Sequence, residues 1–153
     1  MTQQPFDPHD LGALTLAAEG QAGALETALK DHGWTVWRLE GDGAAGAAGV
    51  FDRASRDLPS PFPTRPVNDW TAFTDSLWEA VHVSGSDDCA LIWTGVHHLL
   101  DGALGDLLDG SNALIGLSRG LNSPAKPATG PKRFRSLLLG RGPNFPELEG
   151  LTS

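Results

Sequence analysis

Between Phe62 and Glu79 the chain gathers the side chains with the most to offer a partner. A helix turns about 100° per residue, so Thr71, Asp75, Trp78 and Glu79 fall on one side of a helix entered near Asp69, and Trp70, Phe73, Leu77 and Val81 fall on the other. The second set can bury against a core. The first sets carboxylates beside an indole and includes no nucleophile. A solvated helix face would carry the same charges. The indole among them is what suits this face to docking on a cationic protein surface.

Other groups with chemical potential form less complete sets. His97 and His98 are metal-ligand types, and Asp101 follows at a compatible helical spacing. Adjacent residues diverge in direction on a regular helix or strand, and nothing nearby completes a ligand set, so the sequence predicts no metal site and no cofactor. Asp75 and His82 lie one heptad apart and read as a solvated pair. Gly41-Asp42-Gly43-Ala44-Ala45-Gly46 lacks the spacing of a dinucleotide loop and the Gly-Lys of a P-loop, and reads as a turn. Lys132-Arg133-Phe134-Arg135 is basic with an aromatic between, a pattern that a half-exposed strand produces without any nucleic acid. Cys89 opens an apolar run and reads as a buried, inert thiol.

Charge narrows the class of partner. The 153-residue chain carries a net charge of −8. That opposes general affinity for nucleic acid or an anionic membrane and favours a cationic partner. Between Arg65 and Arg119 there is no Lys or Arg, whereas Asp69, Asp75, Glu79, Asp87, Asp88, Asp101, Asp106 and Asp109 all fall there. From Arg119 to Arg141 the sign reverses, with no acid before Glu147. The N-terminus has neither a basic n-region nor an apolar h-region, and one cysteine fits a reducing cytoplasm, so a cytoplasmic location is expected.

The elements that must position these groups follow from periodicity and breakers. Residues 1 to about 10 read as loose. Ala22 to His32 reads as a helix stopped by Gly33, and Trp34 to Leu39 as a strand. A short helix fits Ala44 to Asp57. Four prolines from Pro59 to Pro66 force a rigid loop, after which Asn68 or Asp69 can cap a helix running to about His82. Cys89 to Thr94 is a continuous apolar run, as in a strand covered on both faces. Helices are expected from His98 to Leu108 and again from Ser111, then a loop from Ser123 to Pro131 and a last strand from Phe134 to Leu139. The expectation is an α/β protein with a small three-stranded parallel sheet and helical crossovers. Its parts are an N-terminal helical extension (1–32), a main domain (33–143) and a loosely held tail (144–153).

With that β-α-α-β-α-α-β order, the Phe62-Pro63 entry, the series Trp70, Ala72, Phe73, Asp75, Leu77, and the closing Leu137-Leu138-Leu139-Gly140-Arg141-Gly142-Pro143, the chain resembles the barstar family of intracellular ribonuclease inhibitors. The resemblance covers roughly Gly33 to Pro143. It implies a non-enzymatic protein whose acidic helix and preceding loop plug the basic active site of a secreted or toxin ribonuclease, with Asp75 in place of an RNA phosphate. Thr71 and Trp78 would pack around Asp75, and Asp69 and Glu79 would steer. Two positions depart from the pattern: Thr71 stands where the family usually has an Asp, and Arg65-Pro66 where it usually has an aromatic. They leave open an alternative, an interaction domain of this fold that binds another basic protein and no longer inhibits a nuclease.

Overall fold

A computed structural model describes residues 5–123 and 131–151. The protein is α/β, built on one parallel sheet. Its elements in chain order are β1 (Leu14–Ala18), α1 (Ala22–Asp31), β2 (Thr35–Glu40), α2 (Ala47–Asp57), α3 (Trp70–Ser84), β3 (Asp88–Thr94), α4 (His97–Gly102), α5 (Leu104–Leu121) and β4 (Arg133–Gly140). The strand order is β1-β4-β3-β2.

Alternation along the strands divides the core in two. Leu91 and Trp93 of β3 and Phe134 and Leu138 of β4 face one side, where they meet Phe51 of α2, Phe73 and Leu77 of α3, and Leu114 of α5. Ala90, Ile92, Leu137 and Leu139 face the other, under Leu25 and Leu29 of α1. The two-layer covering follows from topology. The chain crosses the sheet from β1 to β2, then walks back through β3 to β4. Right-handed crossovers in opposite directions put their helices on opposite faces.

The sheet has four strands rather than the expected three. The addition, β1, pairs in parallel with β4, from Leu14 against Ser136 to Ala18 against Gly140. The segment before Thr35 thus supplies an edge strand and a covering helix to the same sheet. Residues 141–151 are also not a loose tail. Phe145 is buried, the Ala18 N–H donates to Pro146 O (2.9 Å), and Gln21 bonds the backbone of Leu148 in both directions. Nor is residues 5 to 10 a loose stretch: Pro8–Asp10 form a 3₁₀ turn and Phe6 packs under α1.

The helical region after β3 also differs. The helix stops at Gly102, turns at Ala103 (φ −149°, ψ 57°), and α5 then runs unbroken to Leu121. Ser111 lies inside α5 and caps nothing. Gly110 keeps its place in mid-helix because the Trp70 ring lies against it: a Cβ there would stand 2.7 Å from Trp70 Cη2. The loop read from Ser123 to Pro131 falls largely outside the described residues. No helix among the described residues is long and apolar enough to cross a membrane.

Candidate functional site

Helix α3 presents the expected face because its start is well fixed. Asp69 is the N-cap, its Oδ1 accepting the Ala72 N–H at 2.7 Å, and Gly85 ends the helix in the left-handed region at φ 71°. Trp70, Phe73, Leu77 and Val81 all join the core. Phe62, delivered by the proline-rich loop, is buried edge-on against Phe73, with ring centroids 5.6 Å apart. The loop is thereby tied to the helix it precedes.

Outside this core the predicted residues lie as follows. Thr71 and Asp75 are exposed. Asp75 has no hydrogen bond or ion pair among the described residues. It lines a cavity of about 520 Å³ between α3 and α5, with Thr74 and Trp78 on one wall and Gly116, Leu117 and Gly120 on the other. Gly116 and Gly120 lack side chains that would fill this groove. Trp78 is half-buried rather than fully exposed. It packs on the core and lies 4.9 Å from the His82 ring, centroid to centroid. The carbonyl of Trp78 accepts from His82 Nδ1 at 2.8 Å, so His82 is turned to the backbone of its own helix and makes no pair with Asp75.

Arg65 and Glu79 form an ion pair of 2.6 Å, both partly exposed. A cation in the loop before α3 is thus answered by an acid of the same surface, and Glu79 is less available to steer a partner than its sequence position implies. Asp69 is likewise engaged at the helix start. The structure brings Asp75 and Trp78 together in one groove and leaves Thr71 exposed on the same helix.

A second cavity, of about 510 Å³, lies against α1, lined by Phe6, Gly23, Thr27, Asp31, His32 and Leu151. It contains none of the predicted residues. Cys89 is fully buried, and burial pushes its thiol above the ordinary range, as an inert core cysteine requires.

The histidine pair is placed differently from the spacing argument. Asp101 is not beside it. Asp42, 56 residues before His98, is: its Oδ1 accepts from His98 Nε2 at 2.9 Å. This bond, with lesser help from Arg141, holds the Asp42 carboxyl below its usual range. No local pattern could have joined these residues. The signal that existed was that Asp42 and His97-His98 each follow a predicted parallel strand, and the ends of such strands converge.

No family model, curated protein or solved structure matches the chain.

Proposed function

We propose that this protein is a cytoplasmic, non-enzymatic inhibitor of a basic ribonuclease, of the barstar-like kind, acting one-to-one through α3 and the loop before it. The observation that carries the reading is Asp75. Its carboxylate is exposed at the edge of the α3–α5 groove, beside a half-buried indole and without a cationic neighbour among the described residues. A carboxylate so placed can accept charge-assisted hydrogen bonds from the Arg, Lys and His groups that hold phosphate in a ribonuclease site. The wall of small residues on α5, Gly116 and Gly120, keeps the groove beside Asp75 open. The run from β2 to β4, with paired helices in each crossover, has the element order on which the resemblance rests.

The Arg65–Glu79 pair favours a second reading. It sets a cation at the edge of the face, and with Thr71 in place of an acid it lowers the negative charge offered to a nuclease. A domain that binds some other basic protein would tolerate both.

The test is calorimetric titration against a barnase-type ribonuclease, with an RNA-cleavage assay run in parallel. Tight one-to-one binding that stops cleavage, weakens with salt, and drops at least tenfold in Asp75→Ala is the expected result. Binding to a cationic protein that leaves cleavage intact would select the second reading. Inhibition undiminished by Asp75→Ala would reject the role given to that residue.

A further inference from the structure

The carboxyl ends of all four strands bring together a second set of polar side chains, on elements other than the α3–α5 groove. Glu19 follows β1, Arg141 follows β4, His97 and His98 follow β3, and Asp42 follows β2. The chain leaves β1 toward one face of the sheet and leaves β2 and β3 toward the other. In open parallel sheets that divergence creates the crevice in which ligands bind.

One donor atom from each of Asp42, His97 and His98 lies within 4.8 Å of the other two. The two imidazole rings are tilted by only 36° with centroids 4.2 Å apart, so these neighbours do not diverge as they would on a regular helix. Backbone geometry holds the arrangement. Gly95 sits at φ 72°, and a Cβ on it would come 2.6 Å from Asp42 Cα. Only glycine lets the turn after β3 press against the turn after β2. The Gly95 N–H is itself anchored, donating to Glu19 Oε1 at 2.7 Å.

We propose that Asp42, His97 and His98 form a binding site for a divalent transition-metal ion of the zinc class, and that Arg141 is its built-in competitor. Two imidazole nitrogens and one carboxylate oxygen are a zinc-type donor set with an open fourth position, and they differ from the all-oxygen sets of magnesium and calcium. In the metal-free state Asp42 Oδ1 accepts from His98 Nε2–H at 2.9 Å and faces the Arg141 guanidinium, whose Nη2 lies 3.3 Å away. Arg141 opposes entry a second time through its backbone N–H, which donates to His97 Nδ1 at 3.1 Å. A metal at His98 Nε2 needs that lone pair, so the Nε2 proton goes to solvent while Nδ1 takes one up and the ring stays a neutral imidazole; the Arg141 guanidinium is released to its other partner, Glu19, at 3.3 Å. Tetrahedral bonds of about 2.0–2.1 Å set donor atoms roughly 3.3 Å apart. The Asp42–His98 contact then opens by a few tenths of an ångström, which an exposed Asp42 and a half-buried His98 allow.

The test uses the untagged full chain, titrated with zinc chloride by calorimetry and with cobalt chloride by visible absorption. One ion per chain and an intense tetrahedral cobalt band are expected. His98→Gln and Asp42→Asn should each weaken binding at least tenfold. Arg141→Gln should tighten it several-fold, an effect that adventitious surface chelation would not show. His82→Gln, on α3, should change nothing. Circular dichroism of each metal-free variant checks that the fold is intact. Absence of saturable binding, binding unaffected by His98→Gln in a folded variant, or weaker binding in Arg141→Gln would overturn the site.

Discussion

Helix α5 meets the first residue of α3 where Gly110 lies against the Trp70 ring, and Gly110→Ala measures how tight that contact is. A Cβ at Gly110 would meet three atoms of the Trp70 six-membered ring at 2.7, 2.9 and 3.0 Å. That ring cannot easily retreat. It is held edge-on by Phe51 (4.8 Å between centroids) and Phe73 (5.4 Å), with Trp93 at 6.1 Å. Forcing a methyl group into a packed contact costs about 1–3 kcal/mol, and a site with three contacts on a rigid ring belongs at the upper end. Replacing glycine by alanine in a helix interior returns about 1 kcal/mol. The net expectation is a destabilisation of about 1–2 kcal/mol. Gly116, on the same helix, is the control: a Cβ there meets nothing within 4 Å, so Gly116→Ala should stabilise by about 0.5–1 kcal/mol. For a chain of this size each kcal/mol shifts the thermal midpoint by roughly 2–4 °C. The two variants should therefore move apart by several degrees in opposite directions, with urea midpoints following and m-values unchanged. A Gly110→Ala protein as stable as Gly116→Ala would refute the wedge.

Two further predictions test what positions α3 and how stability responds to acid. Asp69→Ala removes the N-cap bond to Ala72 and should cost about 1 kcal/mol, largely restored in Asp69→Ser; equal stability of all three proteins by urea melts would show that the cap is idle. Glu26 is held below its ordinary pKa first by its hydrogen bond to Lys30 and then by Arg38, so it stabilises the fold when ionised. A depressed carboxylate contributes fully above its unfolded pKa and loses that contribution as pH falls through the folded one. The gap in thermal midpoint between the native chain and Glu26→Gln should therefore be present at neutral pH and shrink below about pH 4. A gap unchanged at lower pH would point to lost packing instead of charge.

The parts legible in the sequence were those whose signals are local. The apolar run from Cys89 to Thr94 marks a doubly covered strand, and β3 is buried on both faces. The heptad-like spacing of Trp70, Phe73, Leu77 and Val81 marks the inner face of α3, and all four reach the core. What escaped depends on partners distant in the chain. Leu14–Ala18 has a single β-branched residue and two alanines, and it becomes a strand because β4 offers an unpaired edge. The expected break between Leu108 and Ser111 does not occur: α5 continues through Gly110, a glycine that the Trp70 ring requires there, and the helix is interrupted earlier, at Gly102 and Ala103. Trp78 reads as outward from its wheel position, and it is half-buried because it packs on the core beside α5, a neighbour no local pattern announces.

The same dependence on distant partners sharpens the case for Asp75. Five of the eight acids between Arg65 and Arg119 have structural duties. Asp69 caps α3, and Asp106 accepts the Ala47 N–H at 3.0 Å near the start of α2. Glu79 pairs with Arg65. Asp87 and Asp88 pair with Lys132 and Arg133, and Asp88 and Arg133 are register partners of the β3–β4 ladder. The basic end of the chain thus cancels the acidic middle locally, where the two are neighbours in the sheet. Asp75, Asp101 and Asp109 have no ion-pair partner among the described residues, and of these only Asp75 lines the α3–α5 groove. The Asp75 carboxylate stands exposed at the edge of that groove, hydrated in the free protein and open to a partner. Under the proposed function, a partner that aims several cations at this carboxylate gains charge-assisted hydrogen bonds without breaking any contact of the fold, so a residue that adds nothing to the fold can add most to the complex.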